Sequence, residues 1–243
     1  MTPPITMIVT IHNGHDHWSG CLANLAAILT ADDGAILVDD GSDPPFVLPA
    51  PYDQDKRFRL ISPGRIGRGA ALDLAINHAS DGIICIQDVD DRSLPERLAH
   101  VRRILGQYPD KILLAAAKDD RKISSESLIP VPPHRLYRGN PFHHSSLAFW
   151  RDTWDTVGGY DASLPCCVDY DFYLRCLARR PDAMLFADTA MITRNRQGNR
   201  HYQNLDPSIY HQTMRQIRNR YRAVLRPPLW TRLYDLRFWR GIW

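Results

Sequence analysis

The sequence lacks any apolar run approaching the roughly 18 residues that a membrane-spanning helix needs. Its N-terminus, Met1-Thr2-Pro3-Pro4, also lacks the basic and apolar segments of a secretory signal peptide. We therefore expect a chain that is neither integral to a membrane nor exported by that route.

Cysteine is scarce, with five residues, no CxxC pair and no spacing typical of a disulfide framework. This pattern predicts reduced thiols and a cytoplasmic protein. Phosphate-binding signatures are also missing: the basic, glycine-rich stretch 64–69 has no GK[ST] and does not match GxGxxG. We expect this stretch instead to present Arg68 to a phosphate.

Charge is small overall, at +3, but unevenly distributed. Residues 194–243 contain eleven Arg and two Asp, so the first 193 residues are net acidic. Together with 44% hydrophobic content, this predicts an acidic catalytic domain over 1–193 and a basic extension over 194–243 that contacts phosphates or anionic lipid.

Apolar runs alternate with helical patterns along the first half of the chain. Strands are predicted over residues 5–11, 35–38, 58–61, 83–86 and 112–117, and helices over 18–29, 67–78 and 95–108. This alternation predicts an α/β fold with a mostly parallel sheet flanked by helices. Residues 118–140, rich in Pro and Ser, are expected to form an irregular or hairpin excursion.

Polar loops follow three of these strands, at residues 10–14, 39–42 and 88–91. Ligands bind at the carboxyl ends of strands in such sheets. The third loop, Asp88-Val89-Asp90-Asp91, places three carboxylates in four positions, a pattern suited to Mg²⁺ or Mn²⁺. The alternative is an acidic turn that caps the next helix. The Asp39-Asp40-Gly41-Ser42 stretch also has a purely structural alternative, because Asp and Gly permit a tight turn after a strand.

The second half contains two further polar stretches. In 140–146, His143 and His144 are adjacent, and adjacent residues of a strand point to opposite faces. We therefore expect one structural and one site-facing histidine. In 168–175, Asp169 and Asp171 lie in the first turn of a predicted helix, where the helix dipole stabilises a carboxylate. A catalytic base could also lie at this position.

The order of these motifs resembles the family 2 glycosyltransferases of the GT-A fold. Thr10 at a strand end is followed by DDGS, GRG, DxDD, NPxxH, GGYD and DxDxxxR, from Ile5 to about Arg180. The resemblance implies a Rossmann-like GT-A domain with a basic helical C-terminal extension. Residues 1–117 would be its nucleotide-sugar half and residues 118–193 its acceptor and base half.

The resemblance also implies roles for particular residues. Asp169 matches the catalytic base, and Asp90, with Asp91, would hold a divalent metal, Mn²⁺ or Mg²⁺. Val168 replaces the family's usual Glu, which puts acceptor contacts in doubt. Asp171 and Arg175, one helical turn apart, are expected to pair. The nucleotide would contact Thr10, His12, Asp40, Arg68 and Asp88, and weaker sugar contacts would come from His144 and Asp171.

The implied activity is inverting transfer of a sugar from a nucleotide-diphospho-sugar, with UDP the family's commonest choice, to a hydroxyl of a glycan or lipid-linked glycan at the cell surface. No nucleic-acid partner is expected. A noncatalytic nucleotide-sugar-binding module is one alternative, because of Val168. A nucleotidyltransferase is another, although a glycine-rich loop should then follow the first strand. A glycoside hydrolase would leave the DDGS and GRG loops without a role.

The extension needs its own interpretation. Tyr210, Met214, Ile217, Tyr221 and Val224 fall on one face of a predicted helix, and Pro227-Pro228 ends it. Residues 229–243 combine Trp and Arg. One alternative is packing on the catalytic domain or in a homodimer. We favour contact with an anionic membrane, which would make the protein peripheral at the inner face.

Overall fold

The computed structural model describes residues 2–118, 127–195 and 206–225. Its strands are β1 (Ile5–Ile11), β2 (Gly34–Asp39), β3 (Phe58–Ile61), β4 (Ile83–Ile86), β5 (Arg92–Ser93), β6 (Ile112–Ala117), β7 (Leu128–Pro130), β8 (Ala148–Trp150) and β9 (Met184–Thr193). Its α-helices are α1 (His15–Ile28), α2 (Arg68–Asn77), α3 (Arg97–Gln107), α4 (Arg151–Val157), α5 (Val168–Arg179), α6 (Pro207–Arg220) and α7 (Arg222–Leu225). Short 3₁₀ turns cover Pro133–Leu136 and His144–Ser146.

The strands form one sheet in the order β3-β2-β1-β4-β8-β6-β9-β5, with β7 also paired to β9. The first four strands pair in parallel, and β6 is parallel to β9. The short strands β5, β7 and β8 are antiparallel to their neighbours. The predicted α/β fold is confirmed, and the sequence analysis missed β5, β7, β8 and β9.

The sheet has an apolar core on each face, because successive side chains of a strand point in opposite directions. In β1, Ile8 packs with α2 and α5 on one face, whereas Met7 and Val9 pack with α1 and α3 on the other. β1 therefore lies at the centre of both cores, and its carboxyl end is fixed between those of β2 and β4.

Helix α6 packs against the core formed by α2 and α5. Its Met214 and Ile217 belong to that core, and the Arg218 guanidinium lies 4.7 Å from the ring centroid of Tyr137. Asp206 caps the helix by accepting a hydrogen bond from the backbone N–H of Ser208 at 2.8 Å. For this first helix of the extension, the structure therefore shows packing on the rest of the chain, the alternative to membrane contact.

The membrane prediction rests mainly on residues 226–243, which lie outside the described residues. It stays a prediction, as does the division of the chain at residue 194. Among the helices that the structure describes, none has the length and apolar content to span a bilayer.

We expect Ile217→Ala to lower the free energy of unfolding by about 2–5 kcal/mol, because Ile217 is fully buried and its truncation leaves a cavity. Ile209→Ala, in the same helix but 39% exposed, should change it by less than about 0.5 kcal/mol. Urea unfolding followed by circular dichroism measures both. Equal effects would contradict the packing of α6.

Candidate functional site

The loops after β1 and β2 are joined at the carboxyl edge of the sheet. The backbone N–H of Asn13 donates to Ser42 Oγ at 2.9 Å, and Asn13 Oδ1 accepts from the N–H of Asp43 at 2.9 Å. His12 Nδ1 lies 3.0 Å from the carbonyl oxygen of Asp40, so the Nδ1–H tautomer donates to it. These contacts fix His12 at the end of β1.

Asp40 connects this edge to the loop that precedes α2. Its side chain is buried, and Oδ1 accepts from the backbone N–H groups of Ile66 at 2.6 Å and Gly67 at 2.9 Å. The guanidinium of Arg65 pairs with the same carboxylate. Gly41 has φ +73°, and a Cβ at this position would lie 2.8 Å from the backbone nitrogen of Arg65. A glycine is therefore needed where these two loops approach each other.

Arg68, the first residue of α2, connects the first half of the chain to the second. Its guanidinium donates to Asp88 Oδ1 at 2.5 Å and to His144 Nδ1 at 3.2 Å. His144 Nε2 lies 3.0 Å from the hydroxyl of Tyr160. Burial lowers the pKa of His144 to about 4, so its imidazole is neutral at pH 7 and can accept from Arg68 while donating to Tyr160.

Asp169 lies next to this cluster, in the first turn of α5. Its Oδ2 accepts a hydrogen bond from Asn140 Nδ2 at 2.6 Å, and Asn140 Oδ1 accepts from the N–H of Phe142 at 2.9 Å, which sets the orientation of the amide. Burial, and then the negative charge of Asp169, raise the pKa of Tyr160. Asp169 is half-buried, which leaves its carboxylate accessible beside Tyr160.

Asp171, predicted as a weak sugar contact, is fully buried. Its Oδ2 accepts from Arg175 Nε at 2.8 Å and its Oδ1 from an Arg220 nitrogen of α6 at 3.2 Å. The geometry therefore favours the structural pair with Arg175 that the sequence also suggested, extended by an arginine from α6.

The acidic loop after β4 divides its carboxylates between two environments. Asp91 is buried, with Oδ2 accepting from Ser145 Oγ at 2.5 Å and Oδ1 from the N–H of Asn195 at 3.1 Å. Burial and the charges of Asp88 and Asp90 raise the pKa of Asp91 to about 6. Asp90 is half-buried and lines a 440 Å³ pocket between this loop and the start of α1.

Residues 6–138 match the family described as glycosyl transferase family 2. The chain belongs to this family. Among curated relatives it is similar to the amylovoran biosynthesis glycosyltransferase AmsE of Erwinia amylovora, with 25% identity over 133 residues that cover 49% of this chain and 50% of the relative. The chain thus spans about half the length of the curated relative it matches.

Solved structures of glycosyltransferases share the fold. TarS 1–349 of S. aureus, in complex with UDP-GlcNAc, has a TM-score of 0.68 at 16% identity, over 88% of this chain and 65% of that one. The mannosyltransferase PcManGT of Pyrobaculum calidifontis, in complex with GDP-Man and Mn²⁺, has a TM-score of 0.63 at 17% identity, over 90% and 64%. The predicted GT-A fold is confirmed, and at such identity these likenesses show the fold alone.

The family match does not by itself assign a role to each residue, but the geometry shows which of the predicted residues lie together. Arg68, Asp88, His144 and Asp169 lie in one cluster, and His12 and Asp40 lie at the adjacent loop. Thr10 is half-buried near the end of β1, on the same face as Ile8. Their contacts with a nucleotide or sugar stay predictions.

The acidic loop fits a divalent metal that is shared with a diphosphate. Across the three described ranges, no group of three or more His, Cys, Asp or Glu side chains is arranged to hold a metal ion. A full protein cage is not required, because Mg²⁺ is commonly bound by one or two carboxylates together with substrate phosphates. Asp90 supplies such a carboxylate, whereas both oxygens of Asp91 already accept hydrogen bonds from the protein.

Several site residues were missed by the sequence analysis. Asn140 and Tyr160 lie in stretches that had been singled out, NPxxH and GGYD, but neither was given a role. Arg65 binds the carboxylate of Asp40, 25 positions earlier in the chain. Ser145 binds the carboxylate of Asp91, 54 positions earlier. No local pattern predicts such pairs, because they depend on how the loops meet at the edge of the sheet.

We expect Asp171→Asn to lower the free energy of unfolding by about 3–5 kcal/mol, because it leaves two arginines against a neutral buried group. The control is Asp155→Asn, which neutralises an exposed carboxylate 3.9 Å from Arg151 in an i,i+4 pair and should cost less than about 0.5 kcal/mol. Denaturant titrations of both variants provide the comparison. A small effect of Asp171→Asn would weaken its structural assignment.

Proposed function

We propose that this chain transfers a sugar from a nucleoside-diphosphate sugar to an acceptor hydroxyl with inversion at the anomeric carbon. The observation that carries the proposal is the position of Asp169, held by Asn140 beside the Arg68, Asp88 and His144 cluster. A base and a diphosphate-binding edge are thus adjacent. The UDP-GlcNAc and GDP-Man complexes of the structural neighbours support a nucleotide-sugar donor.

Asp169 supplies the base. A sugar hydroxyl is a weak nucleophile at neutral pH, so a carboxylate within hydrogen-bond reach removes its proton as attack proceeds. Asn140 donates to Oδ2 and thereby orients the carboxylate, leaving Oδ1 to accept the proton. Attack from the face opposite the leaving diphosphate inverts the configuration in one displacement, and no covalent intermediate on the protein is needed.

The donor lies along the loops after β1, β2 and β4. His12 and Asp40 would bind the base, and Asp88 the ribose, while Arg68 contributes positive charge near the diphosphate. Asp90 would hold Mn²⁺ or Mg²⁺, which when bound supplies further positive charge for the leaving diphosphate. We favour a UDP-sugar as the donor.

For the acceptor, we propose a glycan or lipid-linked glycan of the cell surface. The relative whose name includes amylovoran biosynthesis supports this class. Residues 226–243 would hold the chain at an anionic membrane or in a homodimer. A noncatalytic nucleotide-sugar-binding module is the competing function, favoured by Val168, and it predicts donor binding without turnover.

We expect Asp169→Asn to lower kcat by about 10²–10⁴-fold while donor affinity is unchanged, because only the proton acceptor is lost. Asp152→Asn is the matched control, since it neutralises an exposed Asp at the second position of α4, as Asp169 is at the second position of α5. Release of nucleoside diphosphate gives the rate. Wild-type turnover in Asp169→Asn would exclude it as the base, and no turnover in the wild type with any donor would favour the binding module.

The metal assignment is tested by donor binding. We expect Asp90→Ala to weaken protection by the nucleotide sugar against thermal unfolding in Mn²⁺, with little change in EDTA. A ligand at 100 times its Kd stabilises a fold by about 2.7 kcal/mol, so its loss is measurable. Asp16→Ala, which removes an exposed carboxylate from the same pocket, should keep the Mn²⁺ dependence. Equal loss for Asp90→Ala with and without metal would point to a structural role.

A further inference from the structure

Two adjacent thiols lie immediately before the helix that carries Asp169. Cys166 and Cys167 are both partly exposed, and their sulfur atoms are 3.6 Å apart. The other cysteines, Cys21, Cys85 and Cys176, are buried and free. The accessible thiols are therefore confined to one pair in contact.

The backbone brings these two sulfur atoms together. Adjacent side chains of an extended segment point to opposite sides. Cys167 instead has φ +59° and ψ +26°, the left-handed region that residues other than Gly, Asn and Asp rarely adopt. It is the N-cap residue of α5, and its carbonyl oxygen accepts from the N–H of Asp171 at 3.1 Å. The unusual conformation is thus part of the helix start.

We propose that Cys166 and Cys167 are a modification site that forms a vicinal disulfide with a low-molecular-weight disulfide such as oxidised glutathione. The Cys166 thiolate attacks one sulfur of glutathione disulfide, forms a mixed disulfide and releases one glutathione. Cys167 then attacks the Cys166 sulfur and releases the second glutathione. The two cysteines lose two protons and two electrons, which the glutathione disulfide receives.

The bond is readily reversible. Adjacent Cα atoms across a trans peptide are about 3.8 Å apart, closer than the roughly 4.4–6.8 Å usual for disulfides. Strained disulfides are reduced easily, which is typical of labile bonds rather than permanent structural ones. Burial raises the pKa of Cys167, so the second step accelerates as pH rises and more thiolate forms.

The consequence for transfer rests on the function proposed above. Asp169 lies two residues after Cys167, and its carboxylate is oriented by the hydrogen bond from Asn140. A ring closed across the 166–167 peptide changes the backbone at the N-cap and moves the first turn of α5. Oxidation therefore lowers transfer, whereas donor binding at the loops after β1, β2 and β4 persists.

Incubation of the full chain with oxidised glutathione, followed by peptide mass analysis, tests the bond. We expect the peptide containing both cysteines to become two hydrogen atoms lighter, and to return to its original mass with dithiothreitol. Cys167→Ser should instead keep a glutathione adduct on Cys166, because the second thiol is missing. Cys176→Ser, at a buried thiol, should behave as the wild type. A stable glutathione adduct on the wild type, or no reaction, would overturn the proposal.

The effect on α5 has two independent readouts. Oxidation should lower donor turnover at least tenfold, with Cys166→Ser insensitive, and leave nucleotide-sugar protection against unfolding intact. Hydrogen exchange should accelerate in the first turn of α5, and this measurement does not require that the chain be a transferase. A disulfide that forms without changing either readout would overturn the effect on α5. Altered exchange in a chain without any turnover would contradict the proposed function alone.

Discussion

Arg68 holds the two halves of the site together, because its guanidinium donates to Asp88 in the first half of the chain and to His144 in the second. Arg68 begins α2 and Asp88 lies two residues after the end of β4, so their pairing aligns the helix start with the carboxyl edge of the sheet. The same guanidinium donates to His144, which is neutral because burial lowers its pKa to about 4. A protonated imidazole at this distance would repel Arg68, and the connection to Tyr160 and the second half of the chain therefore depends on that neutrality.

The first turn of α5 depends on two arginines, one of which comes from the basic extension. Asp171 is fully buried two residues after Asp169, and two arginines stabilise its charge, one from α5 and one from α6. Removing one partner of a buried ion pair costs more than the pair contributes. Helix α6 thus completes the domain, although it lies in the basic extension that the charge distribution had separated from it.

The predictions from the sequence succeeded where the signal is local. Strands β1, β3, β4 and β6 were predicted at their observed bounds, because each is an apolar run ended by turn residues. β5 and β8 have two and three residues, too short for any periodic pattern. The loops that meet at the carboxyl edge were identified from strand order. The partners of Asp40 and Asp91 were not, because burial of a carboxylate is decided by tertiary contacts.

The departure at Val168 has a structural counterpart. Where the family usually has Glu, Val168 is buried and packs in the core of α2 and α5. A carboxylate there would have to be desolvated, so this chain cannot present one to an acceptor without rearranging the start of α5. Tyr210 of α6, 41% exposed, lies near this helix start, and its pKa is raised by burial and by the neighbouring Cys167 and Asp169. The start of α5 therefore has an apolar side chain at 168 and an aromatic ring of α6 close to Asp169, in place of a second carboxylate.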